Sequence, residues 1–302
     1  MFNYLYSYPL LPFNNEKELY ELNPLKFSEN RRVILFSGKS KFSQIHNNQG
    51  IVYLFIQSNK EIKGFGDYKN LLALIQILCL FTNIYLEPTK EKLEENQSFD
   101  DILKIYSSEK FSNPEVQYDN TKYDSLSLVP EFVDKINYLN KKDLDKFLNA
   151  LFTFSMSEKL ARESNPHMTY TLQMTLFIIS ICQLVNPVKR KCDGKMVCNK
   201  CGNQADHWDN NERREIKALI DELFPKVNEK SRGKWKEVIE EAYGQIRSGF
   251  VHDGNYFAQE MEGGFLSGSW DDEKIEIVEK GVNLEFMTRS ILRKFIHVRS
   301  NK

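Results

Sequence analysis

Three of the five cysteines lie close together and are followed by a histidine, in the spacing Cys192-x5-Cys198-x2-Cys201-x5-His207. A Cys-x2-Cys pair can turn two thiolates toward one ion, and Zn²⁺ in structural sites takes four sulfur or nitrogen ligands. The spacing therefore predicts a zinc knuckle in which Cys192 and His207 complete the tetrahedron. Four protein ligands leave no coordination position for a water molecule, so the predicted ion is structural.

The cysteine-bearing insert, residues 187–210, can also be interpreted as free thiols in a loop. An odd number of cysteines with three of them clustered indicates an intracellular protein with a metal site rather than a disulfide framework. The insert is also rich in basic side chains, which can contact phosphate or form a solvated surface. These side chains are Lys189, Arg190, Lys191, Lys195 and Lys200.

The second candidate for chemistry is the segment Arg247-Ser248-Gly249-Phe250-Val251-His252, at the end of a predicted helix. Phe250 and Val251 can pack inward there while Arg247 and His252 reach a common exposed edge. A guanidinium can hold two phosphate oxygens at once, and an imidazole titrates near neutral pH. The residue types therefore suit chemistry at a phosphate group.

A structural interpretation of this segment stays open beside the chemical one. Arg247 can be an ordinary cation at a helix C-terminus that pairs with Glu240 or Glu241, and His252 can cap the same helix. The spacing of the two residues does not separate these interpretations.

In the first half of the chain, two strand-type runs are followed by two helical patterns, and they are separated by polar or glycine-containing stretches. The predicted strands are 32–36 and 51–56, and the predicted helices are 71–86 and a short one near 102–106. The irregular polar stretch that ends at Pro130 has the composition of a linker. We therefore predict an α+β N-terminal domain over residues 1–135.

In the second half, apolar residues recur at helical spacing in one segment after another. The predicted helices are 144–163, 168–185, 212–225, 235–251 and 284–298. The sequence therefore predicts an all-α bundle over residues 140–302, interrupted by the cysteine-bearing insert.

The charge balance limits the kind of partner that the chain can bind. The formal net charge is −1, from 41 Lys and Arg against 42 Asp and Glu. This total excludes a uniformly basic nucleic-acid binder but not a local basic patch. We expect the positive groups for such a patch at Arg247, in the insert, and in the tail from Arg289 to Lys302.

Two apolar runs, 71–86 and 168–185, contain polar residues, which favours buried core helices over membrane spans. The N-terminus lacks the positive region and the unbroken apolar stretch of a signal peptide. We therefore expect a soluble cytoplasmic protein without a membrane partner.

The segment from Arg247 to His252, with Asp253-Gly254 after it, resembles the R-x4-6-H signature of HEPN domains, particularly the ApeA-like abortive-infection branch. The resemblance covers residues 140–302, through a predicted helical pair, a helix before the motif and a basic closing helix. It does not cover residues 1–130. The cysteine-bearing insert departs from the minimal family domain.

The resemblance implies a metal-independent endoribonuclease that cleaves RNA by attack of the 2′-hydroxyl, in a toxin-like or anti-phage defence effector. Arg247 and His252 would be catalytic, and Ser248 would orient the phosphate or the arginine. A homodimer would bring two such sets together. The N-terminal domain would then sense a trigger or an inhibitor.

Two other functions stay open. The first is a non-catalytic HEPN-like module that binds RNA or a protein partner and carries a structural zinc knuckle. The second is a zinc-dependent hydrolase, which would require an open coordination position on the metal.

Overall fold

The structure is a computed structural model, and everything below concerns the part of the chain that it describes. These residues are 2–8, 19–25, 30–38, 51–59, 61, 65–82, 89–91, 93, 97–106, 128–163, 166–186, 189–197, 204–210, 212–243 and 284–301. The chain divides into two compact units. The N-terminal unit is Met1–Asn140 with Arg299–Lys302, and the helical unit is Lys141–Val298.

The N-terminal unit contains a five-stranded antiparallel sheet with the strand order β2-β3-β4-β1-β5. Its strands are β1 (Phe2–Tyr8), β2 (Leu19–Leu22), β3 (Asn30–Gly38), β4 (Ile51–Ser58) and β5 (Thr89–Glu91). The two strands predicted from sequence are confirmed as β3 and β4. The other three were not predicted.

Three helices accompany this sheet: α1 (Phe65–Thr82), α2 (Phe99–Tyr106) and α3 (Val129–Tyr138). The helices predicted at 71–86 and 102–106 are confirmed as α1 and α2, with shifted ends. α2 covers one face of the sheet, where the ring of Phe99 lies 5.9 Å from that of Phe36 and 5.0 Å from that of Phe55. This face buries Leu5, Ile34, Phe36, Tyr53 and Phe55 together with Ile102 of α2.

α3 begins at the end of the stretch that the sequence analysis interpreted as a linker. Its buried residues, Val129, Phe132, Val133 and Ile136, recur at helical spacing. Asn137 Nδ2 donates to the carbonyl of Pro24 at 3.1 Å, just after β2. α3 therefore belongs to the N-terminal unit.

The helical unit contains five helices among the described residues. They are α4 (Lys141–Glu163), α5 (Pro166–Leu184), α6 (Glu212–Leu223), α7 (Glu229–Glu241) and α8 (Leu284–Arg299). The predicted succession of an α+β region and a helical region is thereby confirmed. The insert, however, forms an antiparallel pair of strands, β6 (Lys189–Val197) and β7 (Gln204–Asn210), which the sequence analysis did not predict.

α4 and α5 pack antiparallel as a helical hairpin. Ser180 Oγ donates to the carbonyl of Ala150 at 2.7 Å, and Ser157 Oγ donates to that of Gln173 at 3.0 Å. Between these bonds the rings of Phe154 and Phe177 lie 5.7 Å apart. The two apolar runs for which membrane insertion was considered fall on α1 and α5, but no described helix is long and apolar enough to cross a membrane.

Candidate functional site

The residues proposed for chemistry fall on different parts of the structure. Arg247, Ser248, His252, Cys198 and Cys201 lie outside the described residues. Cys192 lies in β6 and His207 lies in β7. The structure therefore bears on the two candidate sites through the elements that flank them.

The β6–β7 hairpin brings Cys192 and His207 to the same level of one ladder. The pair Lys191↔Trp208 comes directly before them, and the next pair is Lys195↔Asp206. The register shifts between these two pairs, so that β6 has three residues where β7 has His207 alone. Residues directly opposite each other in an antiparallel pair have Cα atoms about 4.5–5.5 Å apart, and Cys192 and His207 come directly after such a pair. That separation suits two ligands of one ion, although the two residues are distant in sequence.

The ladder also limits how the Cys-x2-Cys pair could join these two ligands. Three paired levels, which end at Val197↔Gln204, separate His207 from residues 198–203. They span about 10 Å along β7 at the usual rise of a strand. Because zinc bonds are only about 2.0–2.3 Å long, one ion bound by all four residues requires residues 198–203 to reach back toward that level.

The other two cysteines, Cys79 in α1 and Cys182 in α5, are buried and form no disulfide. Cys79 Sγ lies 3.5 Å from the carbonyl of Ile75, in the helical i to i−4 pattern. Both therefore act as core residues. Among the described residues, no group of three or more His, Cys, Asp and Glu could hold a metal ion.

The C-terminal end of α7 is joined to the start of α6 immediately before the Arg247 segment. The hydroxyl of Tyr243 donates to Oε2 of Glu212, and both residues are buried. The guanidinium of Arg213 lies over the Tyr243 ring, 4.8 Å from its centroid. Two consecutive residues of α6 thus hold one aromatic side chain, through a hydrogen bond and a cation–π contact.

Glu240 lies one turn before Tyr243 and forms ion pairs with two cations of α6. Its carboxylate contacts Nζ of Lys217 and lies 2.9 Å from Nη1 of Arg213. The hydrogen bonds from Lys217 and Arg213 hold the pKa of Glu240 below its ordinary value, because both favour the ionised form. Glu240 is therefore already engaged by α6, which weakens the interpretation of Arg247 as its helix-end partner.

The α6–α7 network was not predicted from the sequence. It limits how far Arg247 can lie from the end of α7. Arg247 follows Tyr243 by four residues. The two Cα atoms are therefore at most about 14 Å apart, whatever the path of the chain between them. The network thus fixes the position of Tyr243, and Arg247 must lie within this distance of it.

The sequence analysis expected the segment from Arg289 to Lys302 to contribute to a basic surface for RNA. Arg289 does not fit this expectation, because it is buried with only 1% of its surface exposed. Its Nη2 atom lies 2.7 Å from Oε1 of Glu285 and 3.7 Å from Oε1 of Glu158 on α4. Its guanidinium also lies 5.3 Å from the centroid of the Phe154 ring. Arg289 therefore stabilises the interior of the helical unit, and the prediction that it contacts RNA is wrong.

Comparison of the chain with protein-family models, with curated proteins and with solved structures found no match.

Proposed function

We propose that the chain is a metal-independent endoribonuclease of HEPN type that acts as a homodimer in toxin-like or anti-phage defence. Arg247 and His252 are its catalytic residues, and Ser248 orients the phosphate or the arginine. The N-terminal unit receives the signal that controls the activity.

The proposed reaction uses the nucleophile that RNA itself carries. A base removes the proton of the 2′-hydroxyl, the 2′-oxygen attacks phosphorus, and the bond from phosphorus to the 5′-oxygen breaks as that oxygen receives a proton. His252 serves as the base or the acid, and Arg247 stabilises the charge on the phosphorane. A dimer supplies two histidines, one for each proton transfer. The products end in a 2′,3′-cyclic phosphate and a 5′-hydroxyl.

The observation that supports the proposal is the order, along the chain, of the described helices before and after the Arg247 segment. An antiparallel pair, α4 and α5, comes first, α7 leads directly into the segment, and α8 follows it with a buried face. This order is the one expected from the resemblance. The network at Glu212, Arg213 and Tyr243 supports it further, because it anchors the end of α7 from which the segment begins.

The test is cleavage of a 5′-labelled single-stranded RNA by the full chain in EDTA, with wild type, Arg247→Ala and His252→Ala. We expect cleavage by wild type alone, and a loss of at least about a hundredfold in each variant, the size that general acid–base catalysis contributes. Product ends are identified by treatment with a phosphatase that does not remove cyclic phosphates.

The control substrate is the same RNA with 2′-O-methyl groups, which lacks the nucleophile and must stay intact. Equal cleavage by all three proteins would contradict the catalytic assignment. Binding of RNA without cleavage, by a folded dimer, would favour the non-catalytic RNA-binding module instead. Activity that EDTA abolishes and zinc restores would favour the zinc-dependent hydrolase.

We also propose that the β6–β7 hairpin binds one structural Zn²⁺ through Cys192, Cys198, Cys201 and His207. The donor set is one that zinc prefers, and the register brings Cys192 and His207 to one level of the hairpin. The ion would hold the two strands together and would take no part in the cleavage reaction.

A further inference from the structure

The turn before α7 and the first half of this helix carry a concentration of positive charge that the sequence analysis did not single out. Five of the eleven residues from 226 to 236 are Lys or Arg, and only Glu229 is acidic. This density contrasts with the balanced charge of the whole chain. The acidic residues of α7, apart from Glu229, lie further along the helix, from Glu237 onward.

Two of these five cations are held by α6, and three are not. Asp221 lies 2.6 Å from Nζ of Lys236 and 3.9 Å from Nε of Arg232. Lys226 and Lys230 are exposed and Lys234 is partly exposed. Among the described residues, none of these three lysines has a carboxylate partner. They therefore present uncompensated positive charge to solvent.

Gly233 lies within this basic stretch, and the fold does not account for it. It is interior to α7, where glycine is less favourable than alanine because of its backbone entropy. A Cβ atom at this position would meet nothing within 4 Å. Packing therefore does not require a glycine here.

The orientation of α7 places Gly233 on its solvent side. Trp235 is buried and packs on Phe224, with the two ring centroids 4.9 Å apart. Gly233 is two residues from Trp235, a rotation of about 200° around the helix axis. The glycine thus exposes its backbone on the side opposite the buried indole, one turn from Lys230 and from the two glutamates Glu229 and Glu237.

We propose that Lys226, Lys230 and Lys234 form a binding surface for the phosphate backbone of single-stranded RNA, and that Gly233 lets the strand approach the helix closely. Lysine supplies a point charge for phosphate without base specificity, so the surface contributes affinity and not sequence preference. Glu237 limits this surface toward the C-terminal end of α7. This inference rests on the proposed function, because it assigns an RNA-binding surface to the same protein.

The test measures binding of a fluorescein-labelled 2′-O-methyl RNA to the full chain by fluorescence anisotropy, at several salt concentrations. This probe cannot be cleaved through its 2′-position. We expect the triple variant Lys226→Gln/Lys230→Gln/Lys234→Gln to bind about tenfold more weakly. The slope of log K against log salt should become shallower by about 2, since each phosphate contact on a single strand contributes about 0.7.

Two control variants distinguish an effect of Lys226, Lys230 and Lys234 from a general effect of positive charge on RNA binding. Lys104→Gln/Lys141→Gln/Lys142→Gln removes the same charge from exposed positions elsewhere and should leave binding within about twofold of wild type. The triple Lys→Arg variant at 226, 230 and 234 keeps the charge and should bind like wild type.

Gly233→Ala tests the glycine, because stability and binding should change in opposite directions. We expect the midpoint of thermal unfolding to rise by about 1–3 °C, since alanine is the better helix former and has space. RNA binding should weaken severalfold, because the methyl group occupies the surface that the strand approaches. A variant that is more stable and binds RNA unchanged would overturn the role of Gly233.

The outcomes distinguish this inference from the proposed function. If the glutamine variant binds the probe as tightly as wild type, the basic surface is not an RNA site, whether or not the chain cleaves RNA. If the glutamine variant binds the probe weakly but the wild type leaves unmodified RNA intact, the RNA-binding surface is supported and the proposed nuclease activity is contradicted. Competition by polyglutamate as strong as that by RNA would overturn RNA as the partner.

Discussion

Arg289 of α8 and Glu158 of α4 form a buried ion pair, with 3.7 Å between Nη2 of the arginine and Oε1 of the glutamate. The contact joins the last helix of the helical unit to the first across 131 residues of sequence. At this distance the charges attract without a direct hydrogen bond. Arg289 donates a hydrogen bond to Glu285, one turn earlier on α8. The interior of the unit thus contains a charged triad beside the ring of Phe154.

We expect Arg289→Ala to lower the free energy of unfolding by about 3–5 kcal/mol, because it removes a buried guanidinium that lies between the carboxylates of Glu158 and Glu285. Urea unfolding followed by circular dichroism measures this loss. The double variant Arg289→Met/Glu158→Leu removes the two most buried charges of the triad, those of Arg289 and Glu158, and should recover most of the stability. If the double variant is as unstable as Arg289→Ala, the loss comes from packing and not from the isolated charge.

The contacts of Glu240 predict a pH dependence with a definite sign. Lys217 and Arg213 lower the pKa of this carboxyl below its ordinary value of 4.5, so the pairing stabilises the fold above that pH. The contribution is lost as the pH falls through the lowered folded-state pKa. Because the carboxylate is 42% exposed, Glu240→Gln should cost only about 0.5–1 kcal/mol at pH 7.

The pH series is run on wild type and Glu240→Gln by urea unfolding between pH 7 and pH 3. The difference between the two proteins should be constant near neutrality and disappear at the acidic end. A difference that grows toward low pH would contradict the assigned sign. High salt should shrink the neutral-pH difference, since the pair is solvent-accessible.

The sequence predicts those helices and strands whose own residues show a clear apolar pattern, without reference to the elements they pack against. All four residues from Val33 to Phe36 are buried, and such an apolar run of β-formers indicates a strand whatever its partners are. β2 has four residues, too few for a pattern to be read. The β6–β7 hairpin is polar and was interpreted as a loop, because its pairing is not encoded in hydrophobic alternation.

The contacts around the candidate site could not be predicted for a different reason. Arg213 and Glu240 are 27 residues apart, and Glu212 and Tyr243 are 31 apart. No helical or strand spacing relates such pairs, because they meet only after α6 and α7 have packed. The basic composition of α8 was misleading in the same way, since only packing shows that Arg289 lies inside.

The hydrogen bond between Tyr243 and Glu212 should contribute measurably to stability. Tyr243→Phe removes the donor but keeps the ring, so that the buried carboxylate of Glu212 loses this partner at an expected cost of about 1–2 kcal/mol. Tyr138→Phe is the matched control, because Tyr138 is 72% exposed and should cost less than about 0.5 kcal/mol. Equal effects of the two substitutions on urea unfolding would contradict a structural role for the Tyr243 hydroxyl.

Metal analysis of the purified protein tests the hairpin site independently of any activity. We expect about one zinc per chain by mass spectrometry of the metal content, and its loss in Cys198→Ser and Cys201→Ser, since a structural zinc normally requires all four ligands. Cys182→Ala is the matched control and should retain zinc, because that thiol is buried in α5. The ladder makes His207→Ala the most informative substitution, since His207 lies three paired levels from the Cys-x2-Cys segment. Unchanged zinc content in His207→Ala would show that His207 is not a ligand and that the fourth ligand is another residue.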